Sequence, residues 1–192
     1  MWGAVGAVVV GAGALVAVEV VARGGEKEGG PLACGDCAVV ESGMGLDVGR
    51  AGTYGVDVLE NRGDEPAVLD RISFEGRSRG LEILAPLAMR VGDYRGVGLA
   101  AGLIRGFPPA RVRGAAKPVA GFVVDPYRGR DDAVELLIGV RPRRAGTLSY
   151  RAIRLHYHVG HTRYAARFTT ALKICAPEAR YLRLRSCRGS SG

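Results

Sequence analysis

The sequence predicts an all-β protein, a two-layer antiparallel sandwich of seven or eight strands that follows one N-terminal transmembrane or signal helix. Three observations lead to this fold class. The chain of 192 residues holds 30 glycines and 9 prolines, a share that favours short strands and turns over helices. Short apolar runs bounded by turn residues recur from about Thr53 onward, and an alternating hairpin closes the domain. With 47% hydrophobic residues, the chain can fill one core.

The first element is an apolar N-terminal segment, residues 1–23. From Trp2 to Val18 there is no charged residue, and the apolar run resumes after Glu19. A helix of about 21 residues rises about 1.5 Å per residue and would just cross a hydrocarbon core of about 30 Å. We therefore predict a membrane anchor. Two alternatives stay open: a cleaved signal peptide, although no basic residue precedes the run, and a buried core helix or strand pair.

The side of the membrane is predicted from two signals that disagree. Arg23 and Lys27 follow the apolar run and no basic residue precedes it, so the positive-inside rule would hold the domain in the cytoplasm. Four cysteines, an even number near both ends of the domain, indicate disulfides and an oxidising compartment. We give the cysteines more weight, because an upstream basic stretch is easily lost from a gene model. An extracytoplasmic domain at the cell membrane is therefore expected.

A glycine-rich tether is predicted next, over residues 24–50, and it contains a CxxC motif. The four cysteines, Cys34, Cys37, Cys175 and Cys187, can form two local bridges or either of two patterns that join the N-terminal segment to the tail. The long-range patterns are favoured, because closing a loop of about 140 residues restricts the unfolded chain by roughly 4 to 5 kcal/mol. A redox pair and half of a zinc site are the alternatives for the CxxC motif, but each lacks its usual sequence context.

The domain itself is predicted over residues 51–176, and a basic tail follows at 177–192. No stretch outside the anchor shows a 3.6-residue period, so no further helix is expected. Strands are predicted near residues 53–60, 67–75, 81–89, 96–104, 118–124, 132–141, 149–159 and 163–175.

The last two strands form the clearest hairpin. Ile153, Leu155 and Tyr157 alternate with polar residues, and the alternation resumes after the turn, from Arg163 to Ile174. One face of the hairpin is therefore buried and the other is wet. A buried face needs a second layer, which the earlier strands can supply as a second sheet, so a sandwich with immunoglobulin-like topology follows.

Three features of the chain resemble one group of proteins. They are the apolar N-terminal segment, the ENRG turn at Glu60–Gly63 after the first strand, and the closing pair GTLSYRAIRLHYHVGHTRYAARFTTALKIC. Over roughly residues 50–175 the chain resembles the small membrane-tethered Ig-like domain proteins of high-GC bacteria. This resemblance implies the fold and a surface location, and it assigns no site residues. The long basic tail departs from it.

All three histidines fall within the closing hairpin. His156 and His158 project to the same strand face, and His161 in the turn can fold toward them, so a Cu(II) or Zn(II) site is geometrically possible. Arginines share this face, and no acidic residue lies between Glu135 and Glu178 to orient the imidazoles. We therefore expect solvent-facing histidines, no metal and no other cofactor. A metal-binding domain is the alternative function.

Charge is unevenly distributed along the chain. Residues 141–192 carry twelve basic residues against one acid, whereas residues 1–140 carry fifteen bases against eighteen acids. If the hairpin and the tail present their arginines on one side, that side attracts anions with an affinity that falls as salt rises. The candidate binding residues for an anionic partner are Arg154, Arg163, Arg167, Arg180, Arg183 and Arg185.

The sequence therefore predicts a binding or scaffold module and no enzyme. No P-loop, nucleophile elbow, dinucleotide-binding glycine motif or zinc-protease motif occurs in it. The expected partners are the membrane, through residues 1–23, and an anionic cell-surface polymer, lipid headgroups or an acidic protein, through the basic face. A nucleic-acid partner is not expected, because the arginine excess is typical of GC-rich coding.

Overall fold

The computed structural model describes residues 25–35, 45–94 and 102–177, and in this part of the chain the protein is all-β, as predicted. Helical structure in these residues is limited to two 3-10 turns, at Ala110–Val112 and Arg130–Asp132. The strands are β1 (Lys27–Glu28), β2 (Leu32–Cys34), β3 (Gly52–Asn61), β4 (Ala67–Glu75), β5 (Leu81–Ile83), β6 (Leu87–Arg90), β7 (Gly102–Arg105), β8 (Lys117–Pro118), β9 (Val123–Val124), β10 (Val134–Pro142), β11 (Gly146–Tyr150), β12 (Ala152–Val159), β13 (Thr162–Phe168) and β14 (Leu172–Ala176).

These strands form two main sheets. Sheet 1 has the order β1-β13-β12-β4-β9, and sheet 2 has the order β2-β3-β10-β6-β8, with β5 also beside β10 and β7 beside β3. β11 and β14 pair in a small third sheet. All of these strand pairs are antiparallel except β1 and β13, which run parallel.

One hydrophobic core joins the two main sheets. β12 contributes Ile153, Leu155 and Tyr157 from sheet 1, and β3 contributes Tyr54 and Leu59 from sheet 2. The three β12 residues occupy alternate positions of the strand and all are buried, as the period of two predicted.

β10 is the central strand of sheet 2 and is buried on both faces. Leu136 and Ile138 belong to the main core, whereas Leu137 packs with Met89 and Val112 in a second, smaller core. A strand that is covered on both sides needs apolar residues at successive positions, and β10 accordingly reads VELLIGVRP without alternation.

The predicted count of seven or eight strands is wrong, because several predicted strands are divided. β3 and β4 lie at the first two predicted positions. The strand predicted at 81–89 is split into β5 and β6 around Pro86, which cannot donate a ladder hydrogen bond. The strand predicted at 118–124 is split into β8 and β9 around Gly121, whose φ of +80° is left-handed.

The closing hairpin bends out of sheet 1 at both of its strands. The strand predicted at 149–159 is divided at Arg151 into β11 and β12, and the one predicted at 163–175 is divided at residues 169–171 into β13 and β14. β12 pairs with β13 and β11 pairs with β14, so the two strands remain partners while they leave sheet 1. Strands that turn such a corner are a known feature of packed sheets.

Residues 25–35, which we call the N-terminal strap, pair with both main sheets although they fall in the predicted tether. β1 lies along β13 at the edge of sheet 1, and β2 lies along β3 at the edge of sheet 2. The Tyr157 hydroxyl donates to the Gly29 carbonyl at 2.8 Å and accepts from the Leu32 amide at 3.3 Å. The strap therefore ties the two layers together along one side of the sandwich.

Four predicted segments lie wholly or partly outside the described residues: the anchor, residues 1–23; the tether at residues 36–44; the strand predicted at 96–104, of which β7 covers only the last part; and the basic tail from residue 178 onward. Within the described ranges, no helix has the length and apolar character needed to span a membrane. The anchor and the tail both stay predictions.

Candidate functional site

A polar pocket of about 420 Å³ lies on the outer face of sheet 1. Its lining side chains come from the strap, β4, β12 and the turn into β13, and it contains all three histidines. The carboxylates of Glu26 and Asp70, which are remote from the histidines in sequence, also line this pocket. We call it the histidine pocket, and its lining residues are Glu26, Asp70, Arg71, His156, His158, Gly160, His161 and Arg163.

His156 is buried in this pocket, with a side-chain exposure of 7%, and both ring nitrogens have partners. Nδ1 lies 3.0 Å from both carboxylate oxygens of Glu26, and Nε2 lies 3.3 Å from the Ser73 hydroxyl. A carboxylate that only accepts hydrogen bonds fits the imidazole tautomer with its proton on Nδ1. The predicted solvent-facing position of His156 is wrong, because Glu26 of the strap covers the ring.

The other two histidines are more open. The Nδ1 atom of the half-exposed His158 lies 3.1 Å from an Asp70 carboxylate oxygen, and His161 is exposed in the turn. The expectation that no carboxylate orients the imidazoles is wrong, because β4 and the strap bring Asp70 and Glu26 to the same face. The described residues nevertheless contain no group of three or more His, Cys, Asp or Glu side chains that could hold a metal ion.

The basic face predicted from the closing hairpin is largely neutralised by carboxylates. Arg154 forms an ion pair with Glu28 of the strap, and Arg167 Nε lies 2.9 Å from a Glu75 carboxylate oxygen. Arg163 forms no salt bridge within the described residues. β12 and β13 lie between β1 and β4, which belong to the acidic part of the sequence, so opposite charges interleave. The other predicted residues, Arg180, Arg183 and Arg185, lie outside the described ranges.

Positive charge gathers instead at one end of the sandwich, where two arginine-containing turns meet. The first turn, residues 76–80, reads Gly-Arg-Ser-Arg-Gly, and the second, residues 143–145, follows β10. The Arg143 amide donates to the Gly80 carbonyl at 2.7 Å, which joins the two turns. We call this the arginine-rich end, and its basic residues are Arg77, Arg79, Arg141, Arg143, Arg144 and Arg151.

Arginines from outside the first turn pack against its two glycines. Gly76 and Gly80 have left-handed φ angles of +62° and +89°. A Cβ atom at Gly76 would lie 3.1 Å from Arg151 Cζ, and one at Gly80 would lie 3.0 Å from Arg144 Nε. The absence of side chains at these glycines therefore lets both guanidinium groups approach the turn closely.

Glu82 is the carboxylate that the arginine-rich end holds most firmly. It lies 3.2 Å from Arg141 Nη1 and 2.8 Å from Arg143 Nε. The hydrogen bond from Arg143 is the main cause that lowers the pKa of Glu82 below its ordinary value. The remaining four arginines of this end, Arg77, Arg79, Arg144 and Arg151, form no salt bridge within the described residues.

Four of these arginines belong to the basic part of the sequence, residues 141–192, but none of the six is among the predicted binding residues. The available signal was the clustering of arginine with turn residues at 76–80 and 141–145. The pairing of β5 with β10 and the hydrogen bonds from Arg143 to Gly80 and between Ser78 and Ser149 bring the two turns together, and no local pattern encodes these contacts.

The predicted disulfides concern two described cysteines. Cys34 lies in β2 and Cys175 in β14, and both are disulfide-bonded. Cys37 and Cys187 lie outside the described residues. The pairing pattern among the four therefore stays a prediction.

In the described residues, the fold and surface define an all-β module built on two main sheets, with the histidine pocket on the outer face of sheet 1 and the arginine-rich end at one end of the strands. No family model and no curated protein matches the chain. Among solved structures, it is similar to the ASH / PapD-like domain of human CEP192 (PapD-like domain 7), with 16% sequence identity and a TM-score of 0.39. The similarity covers 78% of this chain and 87% of that chain.

Proposed function

We propose that the protein is a non-catalytic binding or scaffold module that docks an anionic partner. In this proposal the domain is a sandwich of immunoglobulin-like topology, held at the cell membrane by residues 1–23 and lying on the extracytoplasmic side. The observation that carries the proposal is the arginine-rich end, where four arginines have no salt bridge among the described residues and two more share Glu82.

The arginine-rich end attracts anions because six arginines lie close together on it, and within the described residues only two of them, Arg141 and Arg143, form a salt bridge with a carboxylate, that of Glu82. Each guanidinium presents a planar set of donors that fits a phosphate, sulfate or carboxylate group in a bidentate manner. The hairpin face supports the proposal less than the sequence indicated, since Arg154 and Arg167 already hold Glu28 and Glu75. The predicted binding surface thus shifts to the turns at the end of the sandwich.

Salt-dependent binding to an acidic polymer tests this function. The full chain in neutral detergent is titrated into fluorescent dextran sulfate, and anisotropy is followed at rising sodium chloride concentrations. If four arginines bind the polymer, a fourfold rise in salt lowers the affinity by roughly 100-fold, because each neutralised charge releases a counterion. A chain that fails to bind even at low salt contradicts the proposal.

Thiol labelling of intact cells tests the location. In cells that express the full chain, a membrane-impermeant maleimide should label the protein only after reduction, because an extracytoplasmic domain would carry its cysteines as disulfides. Labelling that requires lysis of the cells would place the domain in the cytoplasm and contradict this part of the proposal.

The alternative, a metal-binding domain that uses His156, His158 and His161, is supported by no specific observation. Both ring nitrogens of His156 already have protein partners. Calorimetry with Cu(II) and Zn(II) on the full chain distinguishes the two functions, since a triple His→Ala variant would lose the heat of binding only if the histidines are ligands.

A further inference from the structure

We propose that the arginine-rich end is a docking surface for a linear, phosphate-bearing polyanion, which it meets on the side of the domain that faces away from the membrane. The inference rests on the proposed function for the membrane anchor and for the anionic character of the partner. It adds the chemical class of the partner and the direction from which the partner docks.

The direction follows from where the chain enters the sandwich. β1 runs parallel to β13 with Lys27 opposite Tyr164, so the chain enters sheet 1 from the end that carries the β12–β13 turn. The arginine-rich end lies at the other end of the same strands, because Arg151 precedes β12 and the turn at 76–80 follows β4. The N-terminal segment therefore adjoins one end of sheet 1, and the arginine-rich end is at the opposite end.

The distance between the arginines and the membrane that holds the predicted anchor favours a partner other than that membrane. Tyr157, which is paired with Tyr164, lies six residues from Arg151, or about 20 Å along an antiparallel strand. On the other side, only residues 24–26 separate the predicted anchor from β1, and such a link spans at most about 14 Å. The short link favours an orientation in which the strands of sheet 1 run along the membrane normal. In that orientation the arginines lie farther from the headgroups than the Debye length of about 8 Å.

The composition of the two turns favours a charged polymer over a protein. The turns at 76–80 and 143–145 contain only Arg, Ser, Gly and Ala, and so offer no large apolar side chain to anchor a protein partner. The six arginines are spread over the two turns, the end of β10 and the start of β12, so one partner that contacts most of them together must carry repeated charges. A chain of phosphate groups meets this requirement, because each phosphate accepts two hydrogen bonds from one guanidinium, and the comparison with dextran sulfate distinguishes it from a chain of sulfate groups.

The test uses the full chain in phosphatidylcholine nanodiscs, titrated with long-chain inorganic polyphosphate. One variant combines Arg79→Glu, Arg144→Glu and Arg151→Glu at the arginine-rich end. The matched control variant combines Arg62→Glu, Arg128→Glu and Arg130→Glu, three exposed arginines at the opposite end, where the Tyr127 amide donates to the Asn61 carbonyl. Both variants change the net charge equally, and their thermal unfolding is compared with that of the wild type to exclude misfolding.

The first variant should lose about tenfold or more in polyphosphate affinity, while the control variant stays within about threefold of the wild type. Equal losses in the two variants would overturn the assignment of the arginine-rich end, while the proposed anionic partner would stand. Binding to dextran sulfate without binding to polyphosphate would overturn the phosphate-bearing partner alone. A chain that binds neither polymer would refute the proposed function and this inference together.

A second arm separates the free polymer from membrane headgroups. The titration is repeated in nanodiscs in which one third of the lipid is phosphatidylglycerol. If the arginines faced their own membrane, the anionic headgroups would compete and lower the polyphosphate affinity of the wild type about tenfold. We expect a change of less than about threefold, because screening separates the arginines from the disc. A tenfold loss would overturn the outward direction of docking.

Discussion

Replacing Tyr157 with Phe tests whether a buried hydroxyl holds the strap to the sandwich. The Tyr157 side chain is fully buried, and its ring stacks on Tyr164 with 5.3 Å between centroids, a contact that Phe keeps. The variant removes only the hydroxyl, which bonds the Gly29 carbonyl and the Leu32 amide. The buried Leu32 amide then loses its acceptor and the part-buried Gly29 carbonyl loses its donor, so we expect the free energy of unfolding to fall by about 2 kcal/mol. For a domain of this size the melting temperature should fall by about 4 to 8 °C.

Urea unfolding of the full chain, followed by far-UV circular dichroism with the disulfides intact, measures this loss. The control is Tyr127→Phe, at an exposed tyrosine, which should change the stability by less than about 0.5 kcal/mol. Hydrogen exchange of the Leu32 amide should become faster in the Tyr157→Phe variant, because that amide loses its acceptor. Equal stability of the two variants, with unchanged exchange at Leu32, would refute the role of the hydroxyl.

Three further outcomes are expected. Burial raises the pKa of Tyr157, so stability is fully present below the ordinary value of 10.0 and falls as pH rises above it; Tyr157→Phe should flatten this alkaline fall in urea titrations. A Cβ atom at Gly30, where φ is +101°, would lie 2.6 Å from Tyr164 Cδ1, whereas one at Gly29, where φ is +81°, would meet no atom within 4 Å. Gly30→Ala should therefore lower the free energy of unfolding by about 2 kcal/mol more than Gly29→Ala in thermal unfolding, and equal losses would contradict close packing at Gly30. Glu82→Gln removes the negative charge that holds two arginines and should raise polyphosphate affinity about threefold to tenfold, while a loss of affinity would show that Glu82 orders the docking surface.

The parts of the fold that the sequence could predict are those in which one strand repeats one pattern several times. In β12, Ile153, Leu155 and Tyr157 are buried at every second position, as predicted, and β4 has the bounds predicted for the strand at 67–75. The strap could not be found in this way, because β1 and β2 contain only two and three residues. Strands this short are stabilised by the edges of the sheets that they join. They contain too few residues to show the alternation of buried and exposed residues by which a longer strand is predicted.

The candidate site was harder to predict, because charge along a chain does not give charge in space. The basic hairpin lies between strands that carry acids, so Arg154 is paired with Glu28, which lies 126 residues earlier in the chain. The position of His156 in its strand predicts a solvent-facing side chain, but Glu26 of the strap, which also contains Glu28, covers it. The arginine-rich end arises in the same manner, from two turns that are remote in sequence and that the pairing of β5 with β10 brings together.

The strap also determines how a mechanical load on the N-terminus is carried. A force applied at Gly25 along the strand direction acts in shear on the contacts between β1 and β13 before it reaches the hydroxyl of Tyr157. The next point of resistance is β2, which lies in the opposite layer. Tension on the chain is thus passed to the two sheets one after the other, and detachment of the first leaves the second in place.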